Sequence, residues 1–570
     1  MNTIGNNLEY LNTSLKDHLL RTRLISYLRN YSIIAVIFFL LLPQSLIAEN
    51  GINGNLVSVD WLSAHLNNQD LIILDASPAK IYNTKHIPGA INVDLFTYGS
   101  QEMPSDEINK LYQSWGISPD KKIIIYDQGG TIFATRQFFS LYYYGFPSEN
   151  LFVLDGGLAK WQAKNYPVTQ DVTIQTEYGT FKVKKVNEDV KANLPEFLTA
   201  SGDTKNNVLI EALGADWHYG ETCPFDKAGH IPNATLIPSP DFYNPDKTFK
   251  SPEEIKKMLD YFKIKPEQNI YTHCGGGISA SVPFFALRFI LHYPAVKLYA
   301  GSELDWLSDE RELPYWTYDE PYLLRETKWL QFWGGKMLRM YGKSNISIID
   351  IRSSEEFYMG HIPFAINVPA SVFKSNINNL NKLAEILGQS GVNQSFEAVI
   401  ISDSGITKVA ALVFLLLEKL SQKKVSIFTD SMDKWVQLGF LLTKDTTVVG
   451  IKNALDGASI PSTNYPPNLK QEIIITDLES TRGIYPKVLI ASGVNVPETS
   501  DSNIVHLSYT DLLNSGGAPK EAKDIWNVLE KASVPRYAEL VCFSNDPGEA
   551  AVNYFILKLM GYPNIKVLVN

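Results

Sequence analysis

One unit is written repeatedly along this chain, and a repeat of that length dictates the fold of whatever is built from it. Leu71–Val93 reads LIILDASPAKIYNTKHIPGAINV: an apolar run, an acid, then His-Ile-Pro-Gly-Ala and a second apolar run. Ser347–Pro369, SIIDIRSSEEFYMGHIPFAINVP, repeats it, with Asp75 and Asp350 each eleven residues before His86 and His361. Val208–Pro238 repeats it again, but Glu211 stands nineteen residues before His230, so this copy carries eight additional residues ahead of its turn. Each turn leads to a β-like run, a small-residue loop and an apolar helix-like stretch, with Asp127, Cys274 and Ser402 falling 41, 44 and 41 residues after their histidines. The copies close on the equal-length frames LDGGLAKW, YAGSELDW and FTDSMDKW, ending at Trp161, Trp306 and Trp435. A fourth, worn copy ends the chain in ELVCFSNDPGEAAVNYFILKLMGYPNIKVLVN, without the HIP turn.

Short apolar runs alternating with apolar or amphipathic helices predict βαβ units and parallel sheets. The expected architecture is α/β, with four domains at about residues 55–170, 190–318, 340–445 and 475–570, each a small open parallel sheet flanked by helices. Linkers are expected near 170–190, 318–340 and 444–475, the last containing the breaker-rich GASIPSTNYPPN. Residues 1–48 differ in kind: Lys16, Arg21, Arg23 and Arg29 precede the apolar run Ser32–Leu42, the layout of a secretory signal or an uncleaved anchor. Export to the periplasm or cell envelope is therefore expected, with membrane contact only through this segment if it is retained. A net charge of −10 argues against general nucleic-acid binding, and three cysteines cannot build a disulfide framework.

The chemistry concentrates in YTHCGGGISAS, Tyr271–Ser281. A strand is expected to end at about Thr272 and a helix to begin between Ser279 and Pro283. Gly275, Gly276 and Gly277 can take backbone angles closed to other residues, turning successive amides toward one point that favours an anion. Only this copy places a cysteine there; Asp127, Ser402 and, in the fourth copy, Asn545 are its expected counterparts. The bland reading of Cys274 is a buried strand-end cysteine, and Cys542, inside a strand, is read as core. Cys223 is read either as a resolving thiol or as a bystander on the extended segment. His273 is expected to pack, the HIP histidines to fix their turns, and no His/Cys cluster shows metal-ligand spacing.

Acid, HIPGA turn, strand-loop-helix with a cysteine, and DGGxxxW frame, in that order, resemble the rhodanese superfamily. The first two copies look like the thiosulfate and mercaptopyruvate sulfurtransferases, in which an inactive first domain caps an active second one. The resemblance implies a sulfurtransferase without cofactor that carries a sulfane sulfur as a Cys274 persulfide. The donor implied is a small molecule such as thiosulfate, and the acceptor is cyanide or a thiol. It also makes Gly275, Gly276, Gly277, Ile278, Ser279 and Ala280 the substrate-binding loop. Cysteine-based phosphatases of the superfamily place an arginine six residues after the nucleophile; here that residue is Ala280, against phosphatase activity. The segment GADWHYGETCPFDKAGHIP lacks the arginines that grip mercaptopyruvate, leaving His218 and Lys227 as its basic candidates for substrate contact and thiosulfate as the expected donor. A binding or scaffold protein of the cell envelope and a thiol-redox sensor are the alternatives. On this reading copies one and two form the catalytic unit, and a chain ending near Tyr318 should fold and act alone.

Overall fold

A computed structural model describes residues 51–98, 101–445, 448–449, 459–460, 462–470, 472–478, 483–495 and 504–569. The apolar run expected as a secretory signal lies outside these residues. Among the described residues no helix is long and apolar enough to cross a membrane.

Among the described residues four large, mainly parallel sheets follow one another, with a two-stranded parallel pair, Val448–Val449 and Ser459–Ile460, between the third and the fourth. The first pairs Leu56–Val57, Leu151–Leu154, Lys122–Tyr126, Leu71–Asp75 and Ile91–Asn92 in that spatial order, with Ile52–Asn53 antiparallel at the edge. The second orders Lys191–Ala192, Val296–Tyr299, Asn269–His273, Asn207–Glu211 and Ala234–Leu236. The third, from Leu324–Arg325 to Ala365–Asn367, and the fourth, from Ile474–Ile475 to Ile504–His506, repeat that order. The central strand of each sheet is buried on both faces, which is why three of these runs are apolar almost throughout, while the second, Asn269–His273, buries Thr272 and His273 as well. Each ends at the small-residue loop, at the carboxyl edge where parallel sheets open their sites.

Register corrects one expected position. Glu211 pairs with His273, Asp75 with Tyr126, Asp350 with Ile401 and Ala491 with Phe543. The residue after each central strand is therefore Cys274, Asp127, Ser402 and Ser544, and Ser544 replaces Asn545 as the fourth counterpart. The fourth loop carries no glycine run to mark its frame, and only strand pairing fixes it.

Two further expectations fail. The proposed linker 318–340 contains the edge strand Leu324–Arg325 and the helices Thr327–Trp333 and Lys336–Met340 of the third sheet. The described part of the breaker-rich stretch is no hinge: Thr463 donates to Gly388 O at 2.9 Å, and buried Tyr465 bonds Gln422 at 2.8 Å.

The chain divides into two compact units, and the division is not the expected pairing. One takes the chain to Tyr98 with Met103–Lys185 and Pro245–Phe249; the other takes Gly99–Glu102, Val186–Asn244 and Lys250–Asn570. Sheets two, three and four thus share one unit. The reason lies in Lys408–Lys419 and Pro547–Leu559, helices apolar nearly all round, which must be covered on every face. They cover each other, Phe414 meeting Phe555 edge-on at 4.9 Å and Tyr554 and Lys558 both bonding Glu418. The same apolar cluster includes Tyr219 and Leu236 from the second sheet. Across that junction Tyr261 donates to Ala538 O, Tyr537 to Asp241 and Arg536 to Leu236 O. Phe555→Ala is expected to cost about 3–5 kcal/mol in chemical denaturation. A chain ended after Tyr318 should aggregate or lose its cooperative transition by circular dichroism, instead of folding alone.

Candidate active site

Cys274 follows the central strand of the second sheet and is only 2% exposed. Its amide donates to Ser302 Oγ at 3.0 Å, and its carbonyl accepts from Glu303 N at 2.9 Å. Gly275 O accepts likewise from Leu304 N. The Trp306 frame therefore does more than pack: its first turn clamps the loop. Ser302 holds φ +53°, the left-handed angle that Gly157 holds at +52° in the first sheet. The strain is offset by the hydroxyl that caps the Cys274 amide.

Gly277 takes φ +83° and lies against Ala300, so any side chain there would meet backbone at 2.8 Å. Its amide donates to Cys274 Sγ at 3.1 Å. Among the described residues, the amides of Gly275, Gly276, Ile278 and Ser279 meet no acceptor. The following α-helix begins at Ser281, inside the expected range, and passes into a π-turn over Ala286–Ile290. The loop thus presents a sulfur and a row of unused donors in one place.

Each of the other three loops instead sets at least one amide on an oxygen acceptor. Asp127 puts its own carboxylate into the first, accepting from Gly129, Phe133 and Ala134 amides at 2.8–3.1 Å. In the third, Ile406 N donates to Gly517 O of the fourth sheet's domain at 2.8 Å. In the fourth, Asp546 accepts from Gly548 N, and Ser544 bonds Glu549.

The two basic candidates do not reach the loop. On the short helix Ala215–His218, successive side chains stand about 100° apart, so Trp217 and His218 serve different faces. Trp217, Phe225 and Leu213 flank Gly275, within 3.4–3.9 Å of where its side chain would begin. Lys227 donates to Leu313 O and lies over Tyr315. The mouth of the loop is aromatic where sequence reasoning expected cations.

His218 instead is fully buried, donating to Glu211 at 2.8 Å and to Asp319 at 3.0 Å. It stacks on His230 at 3.6 Å, in the place where Tyr82 stacks on His86 and Phe357 on His361. The eight additional residues fall between His218 and His230 and carry Cys223 and Phe225. Burial opposes a charge on His218, but the two carboxylates outweigh it and raise its pKa to about 9. Burial, and then the His218 charge, lower His230 to about 4. Burial would raise Glu211 and Asp319, yet His218 holds both below their ordinary range. His218, His230 and Asp319 bring ligand-type atoms within 4.8 Å of one another, but a doubly paired imidazolium has no lone pair for a cation.

Sequence reasoning missed Glu303. It is fully buried at the frame position that Leu158 and Met432 hold in the sister copies, and that contrast was the available signal. Burial first, and the Glu211 carboxylate after it, push the Glu303 carboxyl well above the usual range, so it stands protonated against Glu211. His273 is buried against Phe197, with burial lowering it to about 4, a packing role as expected. The HIP histidines bond the carbonyls of Tyr82, His218 and Phe357 and bridge to Thr169, Trp316 and Thr443, fixing their turns as expected. Cys542 is core, its thiol pushed up by burial. Cys223 is exposed on the inserted segment, bonding Phe225 O.

The His218 ion pairs give the fold a pH signature. The folded pKa lies above the ordinary 6.5, so the stabilisation is complete below that value and fades as pH rises through 9. The shift corresponds to on the order of 3 kcal/mol. The melting temperature should fall between pH 7 and 9 in differential scanning calorimetry. His218→Phe should remove that alkaline slope and lower stability throughout, because Glu211 and Asp319 are left buried and unpaired.

Comparison with known proteins places this geometry. The family model described as Rhodanese-like domain matches residues 58–164, 195–309 and 335–438, more than half of the chain. The sulfur carrier protein TtuD of Thermus thermophilus is 29% identical over 271 residues, 44% of this chain and 93% of that protein. A probable 3-mercaptopyruvate sulfurtransferase of Pseudomonas aeruginosa is 28% identical, over 45% and 97%. The crystal structure of SseA from Escherichia coli aligns with TM-score 0.40 at 25% identity, over 44% of this chain and 99% of that one. The matched segments take in the first three sheets with their loops, frames and Cys274, and the chain belongs to the rhodanese-like domain family.

Proposed function

We propose that this chain is a sulfurtransferase in which Cys274 carries a sulfane sulfur from thiosulfate, or a related small donor, to a thiol or cyanide. One observation carries the reading: of four equivalent loops, only the second sets a cysteine at the end of the central strand, with the Gly277 amide donating to its sulfur at 3.1 Å. Relatives named as a sulfur carrier, a probable 3-mercaptopyruvate sulfurtransferase and a putative thiosulfate sulfurtransferase support the reaction class.

The Cys274 thiolate attacks the outer sulfur of thiosulfate. The bond between the two donor sulfurs breaks, and sulfite leaves with its electron pair. The persulfide anion lies among the amides of Gly275 to Ser279, which share its charge. An acceptor such as cyanide then attacks the outer sulfur, thiocyanate leaves and the thiolate is restored. This is covalent catalysis in two half-reactions. Glu303 contributes by being neutral, since an ionised carboxylate there would oppose an anion on Cys274. Trp217 and Phe225 narrow the mouth and keep water from the persulfide.

Cys274→Ser is expected to abolish thiosulfate:cyanide transfer, while Cys542→Ser, altering only the fourth sheet's interior, should retain the full rate per folded molecule. Transfer surviving Cys274→Ser would overturn the proposal. Donor affinity offers a second test, because no cation lines the loop. A side chain at Gly276 meets nothing within 4 Å, so Gly276→Lys should lower the KM for thiosulfate several-fold at low salt, an advantage that added salt screens.

A further inference from the structure

The helical segment before the third sheet's Ile346–Asp350 strand turns large apolar side chains outward. Thr327–Trp333 and Lys336–Met340 bury Thr327 and Leu330 on one side and leave Phe332, Trp333, Met337, Met340 and Tyr341 exposed on the other, Met340 at 59% and Tyr341 at 73%. Beside them a groove of about 340 Å³ runs between Leu330, Ile348, Phe364, Trp435 and Leu441. Arg339, stacked on Phe364 and bonded to Gly334 O and Ile346 O, holds the second helix against it. Apolar patches of this size on soluble proteins mark a surface that meets something.

The charge of the segment identifies what. From Thr327 to Ile349 there is no acidic residue, in a chain with 61 of them and a net charge of −10. Lys328, Lys336 and Lys343 are exposed there, and none has a carboxylate within ion-pairing distance among the described residues. Lys343 also lines a second cleft, of about 400 Å³, with Trp329, Trp333, Lys423 and Lys424; the one acid in it, Glu397, is already forked to Arg325. Protein interfaces deplete lysine from their contact area. Tryptophan, tyrosine and apolar side chains interleaved with lysines are instead the composition of elements that lie in a membrane interface. There the stems of the lysines follow the apolar surface and their ammonium groups reach phosphate.

We propose that this face of the third sheet's domain docks on a bilayer surface bearing anionic lipid. Phe332, Trp333, Met337, Met340 and Tyr341 enter the boundary between headgroups and acyl chains, and Lys328, Lys336 and Lys343 pair with lipid phosphate. The proposal is independent of the sulfur-transfer reading: it makes no use of Cys274 and places the docking face on a different sheet.

The test is flotation of the full chain with vesicles of phosphatidylcholine, alone or mixed with phosphatidylglycerol. It is joined to quenching of tryptophan emission by lipids brominated near the headgroup. Wild type should float with the anionic vesicles and lose binding as salt rises. Lys328→Glu/Lys336→Glu/Lys343→Glu should weaken partitioning by about 100-fold or more, and Trp333→Ser/Met337→Ser/Met340→Ser should abolish it. Both variants should keep the wild-type circular dichroism and sulfur-transfer rate. Trp333→Phe should lose a defined fraction of the bromolipid quenching, a direct report on this face even if another segment also holds the chain to the vesicle. Unchanged quenching in Trp333→Phe, absence of flotation, or equal binding to neutral and anionic vesicles would overturn the proposal. So would concentration-dependent self-association that the apolar variant removes.

Discussion

A buried parallel strand that ends in a tight glycine turn leaves several backbone amides facing a space that water does not fill. Buried amides must be paired, and this fold generates the problem four times in one chain. In three of the loops protein oxygens take up part of it: the Asp127 carboxylate, the Gly517 carbonyl and the Asp546 carboxylate. The Cys274 loop of the second sheet keeps a sulfur at its centre, with one amide on that sulfur and several donors unspent. Under the proposed function those donors would meet a persulfide anion, as the amides of the first loop meet the Asp127 carboxylate.

Behind that loop stands a second requirement. Glu211 occupies the strand-end position that Asp75 and Asp350 hold elsewhere, and each acid finds a different partner. Asp350 forks to Arg352, Asp75 accepts the Ser77 amide, and Glu211 is held by His218. Since His218 also needs Asp319, and Asp319 lies against Gly561 and accepts from Tyr219, the charge balance of the second sheet is completed beside the fourth. A cut at residue 318 falls one residue short of Asp319 and leaves the buried His218 without one of its two carboxylates.

The sequence made the repeat, the parallel sheets, the central strand and the place of Cys274 at its end legible, because each rests on periodicity, glycine geometry or a cysteine's unique place among copies. What stayed hidden depends on direction and register. Trp217 and His218 are neighbours whose side chains part by a third of a turn, so the aromatic took the place assigned to the histidine. The fourth counterpart was misplaced by one residue, at Asn545 instead of Ser544, because that loop lacks the glycine run that marks the first two. Packing of the fourth sheet's domain against the second stayed hidden because it rests on single long-range bonds, Tyr261 to Ala538 O, Tyr537 to Asp241 and Arg536 to Leu236 O, which no periodicity announces.

The three clear copies also act as an internal control on cost. Where the second copy has His218 and Glu303, the first has Tyr82 and Leu158 and the third Phe357 and Met432. The same backbone therefore folds with apolar side chains at both places. Burying charge is expensive, and apolar replacements of such networks are often neutral or stabilising. The network at Glu211, His218, Asp319 and Glu303 is then poorly explained as a device for holding the sheet together. It occurs in the one copy that carries a cysteine at the end of its central strand, beside Cys274. There it fixes three things at once: a carboxyl kept neutral beside Cys274, a carboxylate matched by a buried cation, and a clamp on the helix that presents Trp217 to the mouth. The charges are best accounted for by the loop they surround.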